Sequence, residues 1–124
     1  MARQRPFAVA IVDDEPDIVE TLALLMKGHG LQPVSFTHGI EFLASLQKRP
    51  PDAVVLDLLM PSPNGFEILR QLRERGLAHI PVIVMTGSGK DAVRQAVEAG
   101  AVSGFVKPFN PIELLDRLTN ALGS

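Results

Sequence analysis

The sequence predicts an α/β domain, a doubly wound five-stranded parallel sheet of order 2-1-3-4-5 with five helices covering its two faces. Three observations predict it. Short continuous apolar runs recur along the chain, and such runs mark strands buried on both faces. Amphipathic stretches separate these runs, so strand and helix alternate five times. Parallel neighbours need right-handed crossovers, which puts helices on both sides of the sheet. Finally, 46% of the 124 residues are hydrophobic, enough to bury a layer on each side.

Each element follows in order. Phe7 to Val12 is an unbroken apolar strand. The first helix then takes Asp14 as N-cap, Pro16 in its first turn and Gly28 or Gly30 as its stop. Its inward face is Ile18, Leu22, Leu25 and Met26. Gln32 to Phe36 is a weaker strand. The second helix runs from about His38 to Gln47, with Phe42, Leu43 and Leu46 inward. Ala53 to Leu56 is the third strand. The third helix spans about Asn64 to Arg75, with Phe66, Leu69 and Leu72 inward and Gly76 behind it. Pro81 to Met85 is the fourth strand. The fourth helix covers about Lys90 to Ala99, with Val93, Ala96 and Val97 inward and Gly100 as its end. Val102 to Val106 is the fifth strand. The last helix has Asn110 as N-cap and Pro111 at its first position. Leu115, Leu118 and Leu122 share its inward stripe, while Leu114 is expected to sit partly exposed.

The bulk numbers point to one domain over residues 1–124, with a core of about 7–122 and no repeat or linker. Lys and Arg number 12 against 14 Asp and Glu, so charge makes no case for nucleic acid or membrane binding. No run reaches the roughly 20 apolar residues of a membrane span, and no signal-peptide pattern is present. Cysteine is absent, which excludes disulfides and thiolate metal sites and fits a cytoplasmic location.

In an open parallel sheet, ligands bind beyond the carboxyl ends of the strands, where strand order reverses. Strand 1 ends in Asp13-Asp14, strand 3 in Asp57, strand 4 in Thr86, and strand 5 in Lys107-Pro108. Strands 1 and 3 are neighbours in the predicted order, so three carboxylates gather at one edge. Three close carboxylates repel, and either some protonate or a cation compensates. An all-oxygen ligand set selects a hard cation, and Mg²⁺ is the usual one in phosphate chemistry. A divalent ion, a Lys and a Thr hydroxyl together suit a transferring phosphoryl group. Each residue alone is more simply read as a cap or a turn. All four strand ends together carry the chemistry.

At this point the chain resembles the receiver domain of bacterial two-component response regulators. The residues that carry the likeness are Val12-Asp13-Asp14-Glu15, Leu56 to Pro61 with Gly65 behind, Met85-Thr86-Gly87, Gly100-Ala101 and Lys107-Pro108-Phe109. The likeness covers roughly residues 7–122. It implies that Asp57 is the phosphoacceptor. It implies that Asp14 binds Mg²⁺ directly, Asp13 mostly through water, and that the main-chain carbonyl of Leu59 completes the protein ligands. Thr86 would bind a phosphoryl oxygen and move on activation. Lys107 would pair with the phosphoryl group, held by a cis bond to Pro108. The implied partners are a histidine kinase or phosphotransfer protein and a downstream effector, with helix 1 (Val19, Leu24) as the kinase-docking face. A dimer through helix 4, strand 5 and helix 5 is a further implication.

One departure stands out. The family often carries Tyr or Phe three residues before the Lys, and here that residue is Gly104. Phe105 is adjacent, but strand alternation sends it to the opposite face. An aromatic rotamer switch is therefore not expected to operate in the usual way. Leu59 and Ser88 sit two residues after Asp57 and Thr86, and an apolar Leu59 cannot position a water by hydrogen bonding. A fairly long-lived phospho-state follows. The Thr86-Gly87-Ser88-Gly89 loop reads as a flexible loop, because it lacks the ending of a nucleotide-binding loop. His29, His38 and His79 lack metal spacing and read as surface or capping residues.

Other functions fit less well. Asp-nucleophile phosphatases carry Asp-x-Asp after strand 1, whereas this chain has adjacent Asp13-Asp14. A flavin mononucleotide protein needs a Ser/Thr/Gly-rich loop where Glu15-Pro16-Asp17 stands. A receiver-like interaction module that is not phosphorylated would not need the intact acidic set.

Overall fold

A computed structural model describes residues 5–123. The elements run β1 (Ala8–Val12), α1 (Pro16–Gly28), β2 (Gln32–Phe36), α2 (Gly39–Ser45), β3 (Ala53–Asp57), α3 (Gly65–Glu74), β4 (Val82–Thr86), α4 (Lys90–Glu98), β5 (Ser103–Val106) and α5 (Pro111–Ala121). The five strands form one sheet of order β2-β1-β3-β4-β5, as the sequence predicts. All strand pairs are parallel, with Val12 beside Leu56 and Asp57 beside Met85. That register brings the ends of β1, β3 and β4 level.

Side chains of period two divide the core into two layers. On one face Ala10, Val12, Val54, Leu56, Val82 and Val84 pack against Phe42, Leu46, Ile68, Leu69, Leu72 and Ala96 of α2, α3 and α4 or their ends. On the other, Val9, Ile11, Val55, Ile83 and Met85 pack against Leu22 and Met26 of α1 and Leu114, Leu115 and Leu118 of α5. β3 and β4 are buried along their whole length, which is why their sequences are unbroken apolar runs. β2 is an edge strand, more exposed than the rest, and reads as the weaker strand for that reason.

The helix ends follow local chemistry. Asn64 caps α3 in a capping box, accepting from Glu67 N–H at 2.9 Å while the Glu67 carboxylate accepts from Asn64 N–H at 2.8 Å. The bond from Asn64 N–H, with one from the Ser62 hydroxyl, holds the Glu67 carboxyl below its ordinary pKa. Asn110 caps α5, its side chain accepting from Ile112 N–H at 2.9 Å, and Pro111 follows at the first turn.

Three sequence expectations are corrected. Asp14 is not the N-cap of α1; Glu15 holds that position and makes no side-chain cap bond. The turn is set instead by the Asp13 carboxylate, which accepts from Glu15 N–H at 2.9 Å. Val97 is 44% exposed rather than inward. The buried residue of α4 is Ala96, backed by Ala92 and Ala99, and Val97 lies about 100° round the helix from Ala96. Leu114 is fully buried, not partly exposed. The apolar arc of α5 is therefore wider than a single stripe, as core-facing helices usually require.

Candidate functional site

The acidic group lies where β1 and β3 end. Oxygens of Asp13, Asp14 and Asp57 lie within 4.8 Å of one another. Asp13 and Asp57 are buried and Asp14 is exposed. With no side-chain capping duty, Asp14 is left free at the rim. The Asp57 carboxylate accepts one backbone bond, from Leu59 N–H at 3.2 Å.

Burial pushes the Asp57 carboxyl up to about 6, and the neighbouring Asp13 charge adds to this. The Leu59 N–H and the Lys107 charge pull in the other direction without cancelling it. Asp57 therefore holds its proton more tightly than an ordinary carboxyl, and a cation beside it would favour the ionised form.

Lys107 supplies the counter-charge from the end of β5. Its backbone is pinned by Lys107 N–H donating to Thr86 O at 2.8 Å. Its ammonium lies 2.6 Å from Glu15 Oε1, 3.2 Å from Asp13 Oδ2 and 3.6 Å from Asp57 Oδ1. Burial disfavours the ammonium, but the hydrogen bond to Glu15 and the charges of Asp13 and Asp57 outweigh it and hold the Lys107 pKa above its ordinary value. The bond to Pro108 is cis, as the resemblance implies, and Ser62–Pro63 is a second cis bond.

Thr86 is fully buried, and its hydroxyl oxygen accepts from Ser88 N–H at 3.0 Å. That bond turns the chain after β4 and leaves the hydroxyl proton available. Gly65 is needed for close approach. A Cβ there would sit 2.6 Å from Leu58 Cα and 2.8 Å from the Asp57 carbonyl. The start of α3 thus rests directly on the loop that carries Asp57.

Among the described residues, Asp13, Glu15 and Asp57 lie within 3.6 Å of the Lys107 ammonium, and Asp14 lies beside Asp13 and Asp57. All their donors are oxygens, and two of the acids are buried. The donor set fits a hard divalent cation. Asp13, Asp14 and Asp57 are the side chains placed to hold one.

The sequence-expected residues therefore meet at one edge, with two exceptions. Gly104 faces away from the acids, toward α4. A Cβ on it would lie 2.7 Å from Val84 Cγ2 and 2.7 Å from Val93 Cγ1. Phe105 points to the opposite face, as expected, and its ring lies 5.7 Å from that of Phe109. Sequence reasoning missed the part played by Glu15. It lies 92 residues from Lys107, so no local pattern announces the pair. Beside that pair a cavity of about 470 Å³ opens between α1 and α5, lined by Glu15, Ile18, Leu22, Lys107, Phe109 and Pro111 among others. The three histidines stay outside the site. His29 ends α1 with its Nδ1 2.9 Å from Leu25 O, and His38 precedes α2 beside Glu41.

A doubly wound sheet with three carboxylates, a Thr and a Lys along one carboxyl edge defines a flavodoxin-like domain with an acidic centre. The chain belongs to the response regulator receiver domain family, whose sequence model matches residues 9–119. It is 32% identical over 117 residues to the DNA-binding response regulator MtrA of Mycolicibacterium smegmatis, covering 94% of this chain and 49% of that protein. It is 34% identical over 119 residues to the response regulator protein TodT of Pseudomonas putida, covering 95% and 52%. The chain thus spans about half the length of these curated relatives. Among solved structures, the BeF3-activated DrrB receiver domain matches with a TM-score of 0.83 at 30% identity, covering 96% of this chain and 99% of that one. The chemotaxis protein CheY4 of Vibrio cholerae matches with a TM-score of 0.83 at 29% identity, covering 94% and 98%.

Proposed function

We propose that this receiver domain accepts a phosphoryl group on Asp57, in a Mg²⁺-dependent reaction, from a histidine kinase or phosphotransfer protein. The observation that carries the reading is the buried Asp57 carboxylate set between two further acids and the Lys107 ammonium. Asp13, Asp14 and Asp57 would hold the ion, with the Leu59 carbonyl completing the protein ligands as the family resemblance implies. When bound, Mg²⁺ supplies charge neutralisation for two anionic partners that otherwise repel.

The chain's own residues do the rest. An Asp57 oxygen forms the new O–P bond as the P–N bond to the donor imidazole breaks. The electron pair leaves with the ring nitrogen, which takes up a proton. Lys107 pairs with the phosphoryl oxygens, and the Thr86 hydroxyl, whose lone pair already serves Ser88, donates its proton to one of them. Leu59, 54% exposed beside the acceptor, places no hydrogen-bonding side chain to guide a water, so the phospho-state is long-lived. Leu24, 71% exposed on α1, and the cavity beside Lys107 offer the partner a contact surface. The module is one domain, works in the cytoplasm, and passes its state to an effector domain or protein, with the α4–β5–α5 face as a dimer surface. It binds no nucleic acid itself.

The test is intact mass after incubation with acetyl phosphate and Mg²⁺. One phosphate on wild type, absent without Mg²⁺ and absent in Asp57→Asn, is the expected result. No adduct in wild type, with acetyl phosphate or with a cognate kinase, would mean an interaction module that is not phosphorylated.

A further inference from the structure

We infer that Glu15 is a resting-state tether for Lys107, drawing its ammonium away from Asp57 and slowing the arrival of an anionic phosphodonor. The inference rests on the acceptor reading of Asp57 and adds a positioning residue to it.

The distances carry the argument. Lys107 Nζ is 2.6 Å from Glu15 and 3.2 Å from Asp13, both hydrogen bonds. It is 3.6 Å from Asp57, beyond hydrogen-bond length. An ammonium has three donors. Two are committed to Glu15 and Asp13, and the shortest of the three contacts is the one to Glu15, not to the acceptor. The Lys107 side chain is 15% exposed, whereas that of Glu15 is 58% exposed. Glu15 therefore holds Lys107 from the solvent side, at the mouth of the site.

Two consequences share one sign. To pair with a phosphoryl group, Lys107 must turn from Glu15 toward Asp57. The Glu15 charge also stands where a negatively charged donor enters, beside three other carboxylates, and repels it. Because Glu15 is exposed, both effects are modest and screened by salt. The residue has no competing structural task, since its side chain makes no cap bond to α1. Its backbone N–H, held by Asp13, is unaffected by substitution.

The experiment follows phosphorylation by acetyl phosphate, in which the P–O bond to the acetyl group breaks and acetate leaves with the electron pair. Rates are read by intact mass for wild type, Glu15→Gln and Glu15→Asp in Mg²⁺. Glu15→Gln should raise the slope of rate against donor concentration about two- to fivefold at low ionic strength. The gain should shrink toward unity near 0.5 M salt, where the screening length is only about 4 Å. Glu15→Asp, which keeps the charge but shortens the reach to Lys107, should give a smaller gain than Glu15→Gln. An adduct on wild type with Glu15→Gln equal or slower, or a gain that salt leaves unchanged, overturns this inference alone. No adduct on wild type overturns the acceptor reading, and the inference with it.

Discussion

Two regions of the sheet are built on opposite physical terms. Around Asp57 the ends of β1 and β3 crowd like charges together and leave them undercompensated. Between α4 and β5, Val84 and Val93 crowd the position that a Cβ on residue 104 would take, beside an open cavity of about 500 Å³ lined by Lys90, Val93, Gly104, Phe105 and Glu113 among others. The first region holds electrostatic tension that a cation and a phosphoryl group can relieve. The second has no ring at residue 104 to rotate, and a side chain added there meets two valines. The lesson is that a crowded charged centre and a glycine–valine seam can be built side by side in one small fold. This chain keeps the acidic set, Thr86 and Lys107, while its α4–β5 seam is packed by glycine and valine.

The contrast can be tested from both ends. The larger effect is on the apolar side. Gly104→Val should destabilise the fold by about 2–4 kcal/mol in denaturant unfolding, because its Cβ overlaps two valines and its methyls add to the overlap. It should also lower the population of the tightly docked α4. A cost below about 0.5 kcal/mol would mean that α4 shifts freely, and the seam would then be a candidate for movement after all.

On the charged side the effect is somewhat smaller and depends on pH. The folded Asp57 carboxyl titrates at about 6 against an ordinary value of 3.8, so the folded state binds its proton more tightly than the unfolded state. The resulting stability is fully present below the unfolded pKa and is lost as pH rises through about 6. Metal-free wild type should therefore lose on the order of 2–3 kcal/mol from pH 4 to pH 7 through this group. Asp57→Asn should flatten that part of the profile and be the more stable form at pH 7 without metal. A variant no more stable than wild type at pH 7 would show that Asp13, Asp14 and Lys107 leave the acceptor unstrained.

Much of this contrast was legible in the sequence, and the illegible parts share a cause. The apolar runs, Asn110-Pro111 and the four strand ends are local signals, and each reports its own position. Gly104 was legible as an absence, but the valines that fill its place come from another strand and from α4. Glu15 was legible only as an acid beside two others, because its partner arrives from the far end of the chain. Asp14, Val97 and Leu114 were misplaced for a geometric reason. A one-residue shift of a cap or a 100° shift of helix phase changes what a side chain meets without changing the pattern around it.

The central claim is that Asp57 receives the phosphoryl group, and the most direct measurement locates it. Protein treated with acetyl phosphate and Mg²⁺ is reduced with borohydride, which converts an aspartyl phosphate to homoserine, and peptide mass mapping finds the altered residue. Homoserine at position 57 and nowhere else is the expected result. Homoserine at position 13 or 14, or a phosphate that survives on a histidine, would contradict it.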